Sequence, residues 1–441
     1  MTSEETLERG HPVPPGEVNR AIKISYAQAM LGAFFAASTG GGLVTAYFLK
    51  LGATNEQIGL LSTVPMYAVF VQLVAAVLIE RGARRKKMTV IGSMAGVLCW
   101  GLVIALPVAL RHQPVEGRIS ALIAVFTLIS VFNHLASNAR ASWLGDLIPS
   151  ERLGMFFGRL MVFGGIIGSI LMILQGRFLD YMKHAGVSAF GWVFAFGMVF
   201  GIANAFLFTR QADVPTIRHN ISLPGLVRQT FGNKSLMAFM GFAIFWNMQS
   251  IGWPFYAPYL LRDIKLTYFQ FSIIGTIQGI TIMLSSPFWG RMVSRHGCRP
   301  VLIVCAAITA PVAASWIWIS TPLAVFIAVP FINIITGFAN GGIGVAVSTI
   351  IYKVTTPTGR AVQMAIYAAA VVFLVAPMPT IGGHLPGWLN AHGIHADIRV
   401  AFCASQVFCV AALLMARRVI EPGSTSAGEM VVELKEKMVG R

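Results

Sequence analysis

The sequence predicts an all-α polytopic membrane protein whose twelve transmembrane helices form two six-helix pseudo-repeats, and three observations carry that reading. First, 56% of the 441 residues are hydrophobic and only 11% are charged, with the apolar residues gathered in stretches of roughly 20, the length a helix needs to cross about 30 Å of hydrocarbon. Second, those stretches are continuously apolar, whereas strands of a membrane barrel alternate polar and apolar over about ten residues. Third, the chain repeats itself. Aligning Arg81 with Arg295 places Arg85 on Arg299, Ala83 on Gly297, Ala76 on Gly290 and Glu80 on Ser294, all at an offset of 214. Upstream, Thr54-x-x-Gln57 returns as Thr267-x-x-Gln270, and downstream Pro149-x-x-Arg152 returns as Pro357-x-x-Arg360.

Residues 1–23 are read as an N-terminal tail; Met1 to Val18 is polar and acidic, without the apolar core of a signal peptide. The first bundle, 24–209, holds spans at about 24–49, 57–79, 88–110, 119–143, 157–179 and 190–209. Thr54 and Gln57 should open the second span as a capping box, threonine and glutamine each satisfying one free amide of the helix start. In the fifth span Gly164, Gly165 and Gly168 have the Gly-x-x-x-Gly spacing that lets helices approach closely, so tight packing is expected there. Residues 210–234 form the one long polar break, interrupted by Pro215 and Pro224, and serve as a linker in which 223–231 could form a short surface helix.

The second bundle, 235–417, holds spans at about 235–261, 271–293, 300–320, 323–351, 361–383 and 400–417. Between its last two spans, His384 to Arg399 reads as a Gly- and Pro-containing loop whose histidines, His384, His392 and His395, lack metal-type spacing. The tail 418–441 mixes charge signs from Glu421 onward and is expected to be solvated or frayed. Five cysteines, mostly inside apolar runs, imply neither a disulfide framework nor a zinc site.

A net charge of +16 would suggest nucleic acid in a soluble protein; here its distribution reports orientation. With both ends in the cytosol, 25 of the 33 Lys and Arg fall on inner segments and eight outside: Lys50, Arg111, Arg118, Arg177, Lys183, Arg262, Lys265 and Arg399. The expected place is therefore the inner, or plasma, membrane with both termini cytosolic.

On these residues the chain resembles the major facilitator superfamily, and the resemblance covers nearly its whole length. The second-half loop is similar to the family signature Gly-x-x-x-Asp-Arg-x-Gly-Arg-Arg at Gly290, Arg295, Gly297 and Arg299, and departs from it at Ser294, where the acid should stand. The first-half copy keeps an acid, Glu80, with Arg81, Arg84 and Arg85, but has Ala76 and Ala83 for the glycines. Trp143 to Pro149 with Arg152 looks like a variant of a bacterial branch. The resemblance implies two bundles rocking about a substrate site near the midplane. It further implies that Glu80 meets Arg140 and the helix start near Ala361, holding the cytosolic side shut, since an anion is favoured where a helix N-terminus presents free amides. Asp146 is a second acid at the cytosolic edge. The alternative for the basic run Arg81 to Lys87 is that it only anchors topology.

Where would a cargo sit? All 17 carboxylates and every Lys and Arg fall in tails, loops or span ends, leaving the middle of the membrane uncharged. A central cation would suit anions, and a central carboxylate would suit cationic drugs or many proton-driven carriers. A neutral or zwitterionic solute is favoured, sugars ahead of amphipathic drug-like compounds. In the seventh span Trp246, Gln249, Trp253 and Tyr256 recur at helical spacing, with Asn247 beside them; such a face can stack on a sugar ring and hydrogen-bond its hydroxyls, or simply pack. Offset 213 sets Gly40-Gly41-Gly42 opposite Trp253-Pro254-Phe255, so the first helix of each half is weakened at one depth. Asn333, Thr336 and Asn340 in the tenth span, Asn133, His134 and Asn138 in the fourth, Gln278 in the eighth and Gln72 in the second complete the candidates; each could equally bond across helices without meeting cargo. His134 is the one group at that depth able to change charge near neutral pH, hence the candidate for proton coupling.

The reading is a secondary active or facilitative transporter of a small neutral solute, working by alternating access without cofactor, metal or nucleic acid. Its rivals are a multidrug exporter and, outside transport, a membrane receptor or assembly factor that kept the fold. An enzyme is not expected, because no nucleophile, acid pair or metal cluster lies at membrane depth.

Overall fold

A computed structural model of the chain describes residues 15–80, 82–147, 150–213, 223–355, 360–421 and 423–438, and among them every regular element is helical. Contacts divide the chain into two units: Met1–Ala53 with Val64–Ser222, and Thr54–Thr63 with Leu223–Arg441. Ten helices among the described residues are long and apolar enough to cross a membrane. Their outward faces carry large apolar side chains such as Val74, Leu174, Val199, Leu284, Phe331 and Val407, as a hydrocarbon solvent requires.

In the first unit the opening helix is broken in two, α1 (Pro15–Ser38) and α2 (Gly41–Lys50). Gly40 between them is extended, and the Ser38 and Thr39 hydroxyls donate back to the Phe34 and Phe35 carbonyls at 2.9 and 2.7 Å, so the glycine run ends the helix where it was expected to be weak. Next come α3 (Asn55–Met66), a 3-10 turn over Tyr67–Phe70, α4 (Val71–Glu80), α5 (Arg85–Ala109), α6 (Val115–Leu147), α7 (Ser150–Tyr181) and α8 (Val187–Thr209). An aromatic cluster of Tyr47, Phe48, Trp100, Phe126, Phe190 and Phe194 fills the space among α2, α5, α6 and α8, and the buried Tyr47 hydroxyl donates to the Val103 carbonyl at 2.8 Å. At Gly164 and Gly168 the close packing expected of the fifth-span glycines is absent, since a methyl group at either would meet nothing within 4 Å. A small-residue spacing permits approach but does not bring a partner.

The second unit contains α9 (Leu223–Gly232), α10 (Lys234–Met248), α11 (Tyr268–His296), α12 (Cys298–Thr309), α13 (Pro322–Val354), α14 (Arg360–Val375), α15 (Met378–Ala391), α16 (Arg399–Arg418) and α17 (Ala427–Met438). Two expected spans, 235–261 and 300–320, are not continuous helices. After α10 the chain passes through 3-10 turns at Gln249–Ile251 and Trp253–Phe255 and a π turn at Tyr259–Asp263, because Gly252, Pro254 and Pro258 interrupt the hydrogen-bond ladder. After α12, Pro311 has the same effect, and a 3-10 turn over Ala313–Trp318 follows.

Both capping boxes form: Gln57 and Thr54 exchange bonds of 3.0 and 3.3 Å, and Gln270 and Thr267 exchange bonds of 2.9 and 3.2 Å. The first turns of α3 pack within the second unit, where the Thr380 hydroxyl and the Thr63 hydroxyl lie 2.7 Å apart and His384 Nδ1 lies 3.1 Å from a Glu56 oxygen. His384 thus belongs to α15, which runs past the expected loop boundary to Ala391. Gly382 is required there, because a side chain would strike the Ile251 carbonyl of the unwound segment. The tail also departs from expectation: Glu421 is buried and α17 is a regular helix whose Met430 is fully enclosed.

Candidate functional site

A cavity of about 470 Å³ opens inside the second unit. Eight residues named from the sequence line it: Trp246, Gln249, Trp253, Tyr256, Gln278, Asn333, Thr336 and Asn340. The unwinding after α10 does not scatter the first four, since spacings of three, four and three keep one face through both α and 3-10 turns. Halfway along α13, Asn333, Thr336 and Asn340 face Gln278 on α11, where the two helices pack closely. No local pattern pointed to Trp316, Phe271, Thr309 or Ser405, which also line the cavity. Trp316 arrives only because the chain turns back after Pro311, packing its ring at a tilt against Tyr256 with centroids 4.6 Å apart.

The polar wall is partly satisfied within the protein. Gln249 Nε2 donates to the Trp246 carbonyl at 3.1 Å, Asn333 Nδ2 to the Ile274 carbonyl at 2.7 Å and Gln278 Nε2 to the Thr336 hydroxyl at 3.2 Å. Thr336, Thr309 and Ser405 each donate their one hydroxyl proton to a backbone carbonyl of their own helix, at 2.8, 2.9 and 2.7 Å. The three amide oxygens carry no hydrogen bond among the described residues, and no charged side chain lines the cavity. Each of these amides keeps a second proton, and the Asn340 amide and the Tyr256 hydroxyl carry no hydrogen bond among the described residues, so the wall offers acceptors, donors and aromatic faces that stack on flat or C–H-rich surfaces.

Asn247 is not part of this wall; its amide donates to the Ala243 carbonyl at 2.8 Å, one turn back on its own helix. Asn133 and His134 belong to the first unit. There Gln72 Nε2 lies 2.7 Å from His134 Nδ1, and because an amide nitrogen can only donate, Nδ1 accepts and the ring proton sits on Nε2. Asn138 donates to the Gln72 carbonyl at 3.4 Å, holding that pair in place.

Of the gating candidates, Arg81 and the side chains of Glu80 and Asp146 lie outside the described residues, as do Pro149 and Pro357. Arg140 sits over the Phe208 ring, 5.9 Å from its centroid, and Arg85 is buried at the start of α5. In the second half Arg295 meets Glu433 at 3.2 Å, and Arg299 donates to the Arg417 carbonyl at 2.8 Å. Among the described residues no cluster of His, Cys, Asp or Glu could hold a metal ion: His384 pairs with Glu56, and His392 bonds the Trp388 carbonyl at 2.8 Å.

Broken helices around an uncharged, aromatic-lined cavity are the arrangement that secondary transporters place beside a substrate site. Residues 238–433 match the family model of the Major Facilitator Superfamily. The chain is similar in fold to a mutant form of the nucleoside transporter NupG, with a TM-score of 0.66 at 16% identity over 92% of this chain and 100% of that one. It is likewise similar to an auto-inhibited POT family peptide transporter (TM-score 0.67, 12% identity, 92% and 98% covered) and to a D-xylose-proton symporter (0.65, 13%, 93% and 100%). No curated protein sequence matches the chain. The family match is thus carried by the second half of the chain, and the likeness over the whole chain is one of fold.

Proposed function

We propose that this protein is a secondary transporter, active or facilitative, that carries a small neutral or zwitterionic polar solute, of sugar-like character, across the inner membrane by alternating access, with both termini in the cytosol. The observation that carries the reading is the uncharged cavity of the second unit, with its rings and its free amide oxygens. A polyhydroxylated ring suits that wall: its hydroxyls give protons to the amide oxygens of Gln249, Gln278 and Asn333 and accept from the amide and tyrosine donors, and its C–H face meets the tryptophans. An anion would find no cation there, and a cationic drug would find no carboxylate to offset its desolvation.

The test is a thermal-shift screen of purified protein over sugars, amino acids, nucleosides and amphipathic drugs, followed by uptake into liposomes. Stabilisation and uptake of a polyol support the reading; stabilisation by drugs alone makes the protein an exporter. Ligand binding without any flux would indicate a receptor. Reporter fusions at Arg441 and at Gly393, in the turn after α15, test the orientation, and they should report opposite compartments.

A further inference from the structure

The second-half loop lacks its acid. Ser294 stands in that position and bonds the Gly290 carbonyl of its own helix at 3.0 Å. A carboxylate nevertheless reaches this end of the unit, from beyond the last span. One Glu421 oxygen accepts the backbone N–H groups of Cys298 and Arg299, the first residues of α12, at 2.7 and 2.8 Å. The other accepts Lys353 Nζ, in the last turn of α13, at 2.7 Å. Lys353 lies in the last turn of the second half's fourth span, and Arg140, the residue that the first-half acid was expected to meet, lies near the end of the first half's, so each half has a cation there while the anion on Lys353 comes from elsewhere.

The contact continues along the chain. Thr425 donates its backbone N–H to the His296 carbonyl at 2.9 Å and has its hydroxyl 3.0 Å from His296 Nδ1. From α17, Glu433 reaches Arg295 at 3.2 Å and His296 Nε2 at 2.8 Å, while Met430 is buried on the side packed against α12. Gly297, between α11 and α12, is at φ +92°, and a side chain there would come within 2.8 Å of Ser424 and 3.0 Å of the Glu421 carboxylate. The turn is thus shaped to admit the tail.

We propose that Glu421 is the carboxylate the second half uses in place of the missing loop acid, and that segment 421–438 is a clasp binding the ends of α11, α12 and α13 into one body. Glu421 is the positioning residue, because its side chain is 3% exposed and holds an ammonium and two helix-start amides at once. Glu433, with 34% exposure and an exposed Arg295 partner, is the weaker and more salt-sensitive arm. If the protein is the transporter proposed above, these three ends move as a unit while the clasp is closed and separately once it is released.

Cys298 reports on this directly, being fully buried with its own backbone N–H on Glu421. In protein keeping Cys298 alone, with Cys99, Cys305, Cys403 and Cys409 changed to Ala, the rate of labelling by a water-soluble maleimide in lipid nanodiscs measures clasp opening. Glu421→Gln should label at least about tenfold faster than the parent, an equilibrium shift of about 1.4 kcal/mol. Lys353→Met should label faster by less, since the amides keep their acceptor. Glu433→Gln and a chain ending at Ser426 should fall between the parent and Glu421→Gln, with thermal unfolding midpoints near that of the parent. Parent-rate labelling of Glu421→Gln overturns the proposal, as do rates across the set that simply follow loss of thermal stability. Should Glu421→Gln fail to fold, the chain ending at Ser426 decides: labelling at the parent rate refutes the clasp. No substrate enters this measurement, so its failure leaves the transport reading standing, whereas absent solute flux in liposomes refutes transport and leaves the clasp.

Discussion

Gln278 on α11 donates to the Thr336 hydroxyl on α13 across 3.2 Å, joining two helices that both line the cavity and leaving the glutamine oxygen free to accept from a ligand. Gln278→Leu removes the interhelical bond and the acceptor together. A neutral hydrogen bond contributes about 0.5 to 1.5 kcal/mol, so binding of the polyol that responds best in the screen should weaken about two- to twelvefold. Isothermal titration measures it, and unchanged affinity would take Gln278 out of the site.

Two tryptophans of the same wall should separate folding from binding. Trp246 is 7% exposed and stacks on Phe242 with centroids 6.0 Å apart, whereas Trp253 is 40% exposed and has no stacking partner among the described residues. Trp246→Ala should cost roughly 3 kcal/mol of stability, mainly through lost packing. Trp253→Ala should change stability by less than about 1 kcal/mol and still abolish the ligand-induced thermal shift. If both variants lose stability equally, Trp253 is a packing residue.

The backbone approach of α15 to the unwound segment gives a paired test. Gly382→Ala drives a methyl group onto the Ile251 carbonyl, and rigid backbone cannot move aside cheaply; loss of folded protein on size-exclusion chromatography is expected. Gly279→Ala, where nothing lies within 4 Å, should be neutral or stabilising by up to about 1 kcal/mol, because alanine loses less backbone entropy in a helix. A folded Gly382→Ala protein with wild-type melting would contradict the close packing.

Glu421 fixes a pH dependence. Burial alone would raise its pKa, but the Lys353 ammonium and the amides of Arg299 and Cys298 more than offset that and hold it below the ordinary 4.5. A carboxylate with a depressed folded-state pKa contributes stability that is fully present above its unfolded pKa and is lost as the pH falls through the folded one. The melting difference between wild type and Glu421→Gln should therefore stay constant from about pH 6 to 8 and shrink only in acid, below the ordinary carboxylate range. A difference that widens on acidification would reverse the assignment.

His134 bears on coupling. Its Nδ1 accepts from Gln72, so a proton can arrive there only if the amide turns over and presents its oxygen. With a proton-coupled carrier, a pH gradient should drive solute accumulation in liposomes; His134→Gln should abolish accumulation while leaving solute-for-solute exchange intact. Accumulation unchanged by the substitution removes His134 from the mechanism.

Periodicity and the repeat made much of this protein legible from its sequence. Ten of the twelve apolar runs, the two capping boxes and the weak point at Gly40 depend on residues close together in the chain, and each appears where the spacing put it. The face from Trp246 to Tyr256 was legible for the same reason, because successive side chains on one helix share a direction however the helix is later broken. What the tertiary structure alone decided are the meetings of distant segments. Trp316 comes to Tyr256 only through the turn after Pro311, Asn247 turns back to its own helix rather than to its neighbours in the sequence, and Gly164 and Gly168 face empty space despite an ideal spacing. Glu421 is the sharpest case. A charged residue after the last span reads locally as a solvated tail, and only the fold brings to it two free amides of a helix start and a lysine 68 residues earlier, which together offset the cost of burying its charge.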